Sequence, residues 1–295
     1  MAISQSVVEE ETKWVTANGY EFYTRLFKSV VQPPKATLLL MHALGDRVDN
    51  YTEMAQYFAH VGIQFFGFDQ RGFGKSGSKA GDLGDNGGVD SVVKDIAAMN
   101  RLAMIDGVKH FMLGISMGGM YVLNYCLLYN QDGHIAGIIS DAPALKTLGV
   151  LIPSNEEVKS CEEDSASRKI KKTCGFKPET LFNNKAIVER WERDDLSLNY
   201  SALGTLVDIH TVGPRIAARA SDFITPVLLA HADGDSITDP NATRKFFADL
   251  PDSLDKKLKI IENCPFHVIT GVVGHELELV DEYTQWILSR VERDS

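Results

Sequence analysis

An α/β fold with a mainly parallel, doubly wound sheet and a helical cap after the sixth strand is predicted by three observations. Short apolar runs alternate with amphipathic stretches from Ala36 to Ser140, and the alternation resumes at Pro226. Between them, residues 146–221 break the rhythm. A glycine-rich turn, Gly114–Gly119, joins a strand directly to a helix. The expected organisation is an N-terminal core part at 1–145, a cap at 146–221 and a C-terminal core part at 222–295.

Taken in order, Lys13–Thr16 and Tyr20–Phe27 flank Ala17-Asn18-Gly19, and Asn-Gly supplies the positive φ angles of a tight hairpin. Ala36–Met41 is a buried strand, followed by a helix near Tyr51–His60. Gln64–Phe68 precedes a helix near Asp90–Met104, and Lys109–Leu113 precedes one at Met117–Tyr129. Ile135–Ser140 is the sixth strand. The interval that follows carries the charged stretch Asn155–Lys172 and helix-like Pro178–Asp194, with no convincing buried strand; so long a structureless loop is implausible, which favours a cap. Pro226–Ala230, a helix over Pro240–Leu250, strand Lys257–Ile261 and a helix near Leu277–Arg293 complete the core.

Composition narrows the function. The 295 residues are 44% hydrophobic and 24% charged, which excludes disorder, and 30 Lys plus Arg against 40 Asp plus Glu give a net charge of −10. That field argues against nucleic acid as a partner. Cys126, Cys161, Cys174 and Cys264 form no disulfide framework or zinc spacing. The acidic N-terminus is no secretory signal, so the three Asn-x-Ser/Thr sequons read as chance and the expected location is cytoplasmic.

Gly114-Ile115-Ser116-Met117-Gly118 matches G-x-S-x-G in its required strand–turn–helix setting, where the tight turn pushes Ser116 out beyond the sheet. A nucleophilic serine needs donors for the developing oxyanion: the Met117 N–H is one, and the Leu44 N–H, in the loop after Ala36–Met41, is the other. His42 precedes the serine in a chain whose order is Ser, acid, His, and is read as structural. The acid follows a late strand. Asp235 is favoured over Asp233, Asp239 reads as an N-cap before Pro240, and Asp141 is a weaker alternative. The base comes last, with His267 preferred and His275 the alternative; the remaining histidines, His231 among them, have no positional claim.

His42–Gly45, Phe68–Ser76, Gly114–Gly119 and His231–Pro240 together resemble the monoacylglycerol lipase branch of the α/β-hydrolase superfamily, in particular the fungal monoglyceride lipases. The resemblance covers the chain outside the cap. It implies a serine hydrolase of fatty-acyl esters without metal or cofactor, with Ser116, Asp235 and His267 as triad and Leu44 and Met117 as oxyanion donors. The family usually has His-Gly where this chain has His42-Ala43, and the loop Glu262–His267 is one residue longer than the pattern. Lysophospholipase or general carboxylesterase activity is the nearest alternative, and a catalytically inactive binding protein of the same fold a distant one.

A nucleotide-binding reading rests on Gly72-Phe73-Gly74-Lys75-Ser76-Gly77, a literal G-x-G-x-x-G. The fingerprint must open a helix, whereas this one is expected to run into a polar, glycine-rich loop, Ser78–Gly88, with Asp69 and Arg71 as a structural pair. In the cap, the apolar run containing Leu148, Leu151 and Ile152 either packs on the core or forms a lid touching substrate and, transiently, a membrane or lipid-droplet surface.

Overall fold

A computed structural model describes residues 7–268 and 276–292. Its elements, in chain order, are β1 (Glu10–Ala17), β2 (Tyr20–Phe27), β3 (Ala36–Met41), α1 (Thr52–His60), β4 (Ile63–Phe68), α2 (Gly74–Ala80), α3 (Val89–Ala103), β5 (His110–Ile115), α4 (Met117–Tyr129) and β6 (Gly137–Asp141). Then follow α5 (Asn155–Glu163), β7 (Lys171–Thr173), α6 (Pro178–Leu181), α7 (Lys185–Arg193), β8 (Tyr200–Ala202) and α8 (Leu203–Ala217). The chain resumes the sheet with β9 (Val227–Ala232), α9 (Pro240–Asp249), β10 (Lys256–Ile261) and α10 (Glu276–Glu292).

Eight strands form one sheet in the order β1-β2-β4-β3-β5-β6-β9-β10. β1 with β2, and β2 with β4, run antiparallel; every other pair is parallel. The hairpin turns through Asn18 (φ 51°) and Gly19 (φ 70°), and Ala17 faces Tyr20 across it. Side chains of β3 alternate between two cores: Leu39 and Met41 join α3, α4 and α9 on one face, while Leu38 and Leu40 join α1 and α10 on the other. The fold is therefore the doubly wound α/β-hydrolase sheet, and its order reverses at β3, beside β5. Ligand crevices form outside the carboxyl ends of strands at such a point. Both β3 and β5 end there, one in His42–Gly45 and the other in Ser116.

α4 is apolar all round because it is buried all round, with residues 117–127 inside. The segment between β6 and β9 is tied to the core at several places, three of them close to the site or to the loop after α2. Gly84 O accepts from Ala202 N, Ser201 Oγ and Thr205 Oγ1; Gly45 O accepts from Leu198 N at 2.8 Å; and Thr180 O and Leu181 O accept from the N–H groups of His267 and Val268.

Two local expectations are corrected. Gly74–Ala80 is a helix, not a loop, so the glycine fingerprint does open one. Its N-terminus is already filled: Asp69 Oδ2 accepts from Lys75 N at 2.7 Å, and a Cβ on Gly74 would sit 2.3 Å from the Asp69 carboxylate. A pyrophosphate has no room there. Nor do Asp69 and Arg71 pair. Asp69 holds backbone N–H groups of Val48 and Lys75, while Arg71 grips Asp95 through Nε at 2.8 Å and Nη2 at 3.1 Å.

Candidate active site

Ser116 occupies the turn between β5 and α4 with φ 56° and ψ −113°, a strained backbone that costs about 1–3 kcal/mol for a non-glycine residue. The turn is held because Ser116 N donates to Asp141 O (2.8 Å), while Ser116 O accepts from Met120 N and Ala144 N. Its tightness depends on small neighbours. A Cβ on Gly118 would lie 2.1 Å from Met41 O, so only glycine lets the start of α4 touch the end of β3.

Three residues 151 positions apart at the extremes converge. Ser116 Oγ lies 2.8 Å from His267 Nε2, and His267 Nδ1 lies 2.6 Å from Asp235 Oδ2. All three are nearly enclosed, at 7%, 4% and 5% exposure. An ionised carboxylate only accepts, so Nδ1 carries the imidazole proton and Nε2 is left to accept from the Ser116 hydroxyl. Burial alone would raise the Asp235 pKa; the charge of His267 and hydrogen bonds from His231 and His267 outweigh it and hold the carboxyl well below the carboxylate range. Burial pulls His267 downward, and the Asp235 charge and hydrogen bond overcome that pull, leaving the imidazole above its ordinary value. The arrangement can deliver a serine alkoxide to a carbonyl and store the displaced proton.

Asp235 is itself fixed from several sides. Oδ1 accepts from the N–H groups of Ile237 (2.7 Å) and Thr238 (3.2 Å), and Oδ2 from His231 Nε2 (3.1 Å) and Thr238 Oγ1 (3.0 Å). His231 Nδ1 in turn faces Thr243 Oγ1 at 2.8 Å. His231, given no role from sequence, thus orients the Asp235 carboxylate, and nothing in the sequence marks it. Asp233 accepts from Asn263 N and Cys264 N, anchoring the loop that carries His267. Asp239 caps α9 through Asn241 N. His42 is buried, its Nδ1 donating to Ala43 O and its Nε2 accepting from Gln70 N. His275 lies outside the described residues.

Met117 is the first residue of α4, where helix geometry leaves an N–H without an intrahelical acceptor. Leu44 follows β3, its loop shaped by Gly45 at φ 71°, where a Cβ would strike Leu198 O at 2.3 Å. Ala43, Leu44, Ser116 and His267 open into a cavity of about 510 Å³, within the roughly 300–1,000 Å³ range of small-molecule sites. Its apolar wall comes from Tyr51 and Met54 of the core and from Phe176, Leu181, Phe182, Ile187 and Trp191 between β6 and β9. Leu148, Leu151 and Ile152 are not among its lining residues. Leu151 is buried against Cys174 and Leu206, Leu148 is half-buried, and Ile152 is exposed outside the cavity. The missed lining residues of α7 had a signal, the i, i+4 spacing of Ile187 and Trp191.

Comparison with known proteins identifies the family. The family model described as serine aminopeptidase, S33 (Hydrolase_4) matches residues 32–271. An uncharacterised abhydrolase domain-containing protein of Dictyostelium discoideum is 32% identical over 273 residues, 88% of this chain but only 27% of that protein's length. A putative monoglyceride lipase of Schizosaccharomyces pombe is 25% identical over 287 residues, 90% of this chain and 71% of the relative. Among solved structures, a soluble variant of monoglyceride lipase from Saccharomyces cerevisiae, in complex with a substrate analog, superposes with a TM-score of 0.85 at 21% identity, over 97% of each chain. No helix among the described residues is long and apolar enough to cross a membrane. With the matched family model spanning both the Ser116 turn and the His267 loop, the chain belongs to the Hydrolase_4 (serine aminopeptidase, S33) family of α/β-hydrolases, and its relatives include monoglyceride lipases.

Proposed function

We propose that the protein hydrolyses the ester bond of monoacylglycerols to a fatty acid and glycerol. The observation that carries this reading is the Ser116–His267–Asp235 hydrogen-bond chain opening into a cavity whose wall combines apolar side chains with polar ones such as Asp49, Asn50 and Arg190, as an acyl chain with a glycerol head requires. Similarity to proteins named as monoglyceride lipases supports the choice of substrate. Ser116 Oγ attacks the ester carbonyl as its proton passes to His267 Nε2, and Asp235 stabilises the imidazolium that forms. The N–H groups of Leu44 and Met117 receive the oxyanion, where each donor is worth about a hundred- to a thousandfold in rate. The glycerol oxygen leaves with the proton from Nε2. Water then gives a proton to Nε2, attacks the acyl-enzyme and releases the fatty acid, and Ser116 regains its proton. We place this work in the cytoplasm, at transient contacts with membranes or lipid droplets, because such surfaces hold a monoacylglycerol. Residues 146–221 act as the cap that shields the acyl chain.

The test is labelling with a fluorophosphonate probe, followed by a hydrolysis panel. Wild type labels at Ser116, and S116A neither labels nor forms an acyl-enzyme, with kcat down about 10⁴-fold or more. Normal labelling of S116A defeats the mechanism. On the panel, turnover of long-chain monoacylglycerols should exceed that of lysophospholipids, short p-nitrophenyl esters and aminoacyl anilides. Preference for any of the other three reassigns the substrate.

A further inference from the structure

β6 ends in Asp141, a residue that the reaction above does not use. Its side chain is wholly buried, and among the described residues the Tyr283 hydroxyl of α10 is the group facing its carboxyl, with no other side chain or backbone N–H bonded to either oxygen. Native interiors rarely bury such a group with so few partners, so its presence here needs a reason.

The backbone places it between the three parts of the site. Asp141 O accepts from Ser116 N at 2.8 Å, and Asp141 lies in register with Ile115 of β5 and Ala230 of β9. The next residue, Ala142, has the strained φ of 44°. Ala142 O lies 3.2 Å from Thr238 Oγ1, the hydroxyl that donates to Asp235 Oδ2 at 3.0 Å and sits 3.5 Å from His267 Nδ1. The titratable groups facing Asp141 are His267 and Cys264 after β10, Asp235 after β9, Tyr51 ahead of α1, and Tyr283 of α10, which itself feels Glu282.

We propose that Asp141 is a positioning residue for the hydrolysis: its buried carboxyl is a second acidic neighbour that adjusts His267 as the base, in addition to Asp235. Burial raises the Asp141 pKa to about 7, against the opposing influence of the Tyr283 hydroxyl and the His267 charge. Asp235, held below the carboxylate range by His267 and His231, stays ionised throughout the working range, whereas Asp141 changes charge inside it. When His267 takes the Ser116 proton, an ionised Asp141 stabilises the imidazolium and strengthens the base. A neutral Asp141 does not. No bond to Asp141 forms or breaks, and its own proton exchanges with solvent.

The inference rests on Ser116 and His267 being nucleophile and base. It is tested by the pH dependence of kcat/KM on a soluble p-nitrophenyl ester for wild type, D141N, Y283F, D235N and D141N/D235N. D141N should move the acid limb to lower pH by about half a unit or more, because the base loses a negative neighbour. Y283F, which keeps the carboxyl but removes the hydroxyl that favours its ionisation, should move the limb the same way by less. D141N/D235N should fall about tenfold below D235N, since the remaining acid is then lost. A purely structural Asp141 would lower the melting temperature and leave the limb in place. Superposed limbs for wild type, D141N and Y283F overturn the proposal, and should D141N not fold, Y283F alone decides it. Failure of the underlying reading looks different: H267A would then still label with fluorophosphonate.

Discussion

His267 is pulled in two directions, and the balance has a measurable consequence. Burial disfavours the imidazolium, but the ionised Asp235 carboxylate at 2.6 Å favours it more, so the pKa lies above the ordinary histidine value. A general base must be neutral to accept the Ser116 proton. Activity is therefore present above the raised pKa and lost as pH falls through it, so the acid limb of kcat/KM for the wild-type protein should have a midpoint above about 6.5. A pH–rate profile on a soluble ester checks this; a midpoint well below 6.5 would mean that Asp235 does not dominate the imidazole. The same residues show what a sequence can and cannot disclose. Ser116 is legible because its turn demands glycines at fixed offsets, and Asp235 and His267 because they lie in the loops after the last two strands, in the chain order that the motif implies. His231 leaves no mark, since a histidine inside an apolar strand has no periodicity of its own, and its hydrogen bond to Asp235 exists only in three dimensions.

Elements were readable where one physical rule dominates and unreadable where two compete. The parallel strands β3, β5 and β9, buried on both faces, appear as continuous apolar runs. α8 escaped notice because Gly204, Gly213 and Pro214 mimic a loop, although the helix is stabilised by burial against α4 and α5. α2 escaped for a similar reason, its glycine and serine content outweighed by the Asp69 carboxylate at its N-terminus. The junction of β3 and α4 is the element-scale feature on which the site depends. In G118A, the added methyl meets Met41 O and His42 O at 2.1 and 2.6 Å, both backbone atoms that cannot swing aside. The helix start and the Leu44 loop must then part, which should cost about 1–3 kcal/mol of stability and at least about a hundredfold in kcat as the oxyanion donors separate. G119A should be milder, because its nearest neighbour is the Ser140 hydroxyl at 2.9 Å, a group that can rotate. Thermal melts and short-ester kinetics of the pair test the contrast, and equal effects would refute the steric argument.

At the scale of the whole molecule, the segment between β6 and β9 is the other half of the cavity and is wired to both loops of the site. Leu198 holds the Leu44 loop at Gly45, Arg47 Nε pairs with Asp194 at 2.7 Å, and α6 accepts the N–H groups of His267 and Val268. α7, which has no buried residue, meets the cavity through Ile187 and Trp191. These side chains are available to an acyl chain without being needed by the core. Apolar contact of that size contributes about 1.5–3 kcal/mol per side chain when fully engaged. Replacing Ile187 and Trp191 with serine should therefore reduce kcat/KM for a long-chain monoacylglycerol by about ten- to a hundredfold. Turnover of p-nitrophenyl acetate and the melting temperature should change little, because a two-carbon acyl group is too short to engage α7. L151S supplies the opposite control: Leu151 packs against Cys174 and Leu206, so its loss should lower the melting temperature and cut both activities together. If the α7 double variant instead loses both substrates equally while keeping its melting temperature, α7 acts through the His267 loop rather than by holding the acyl chain.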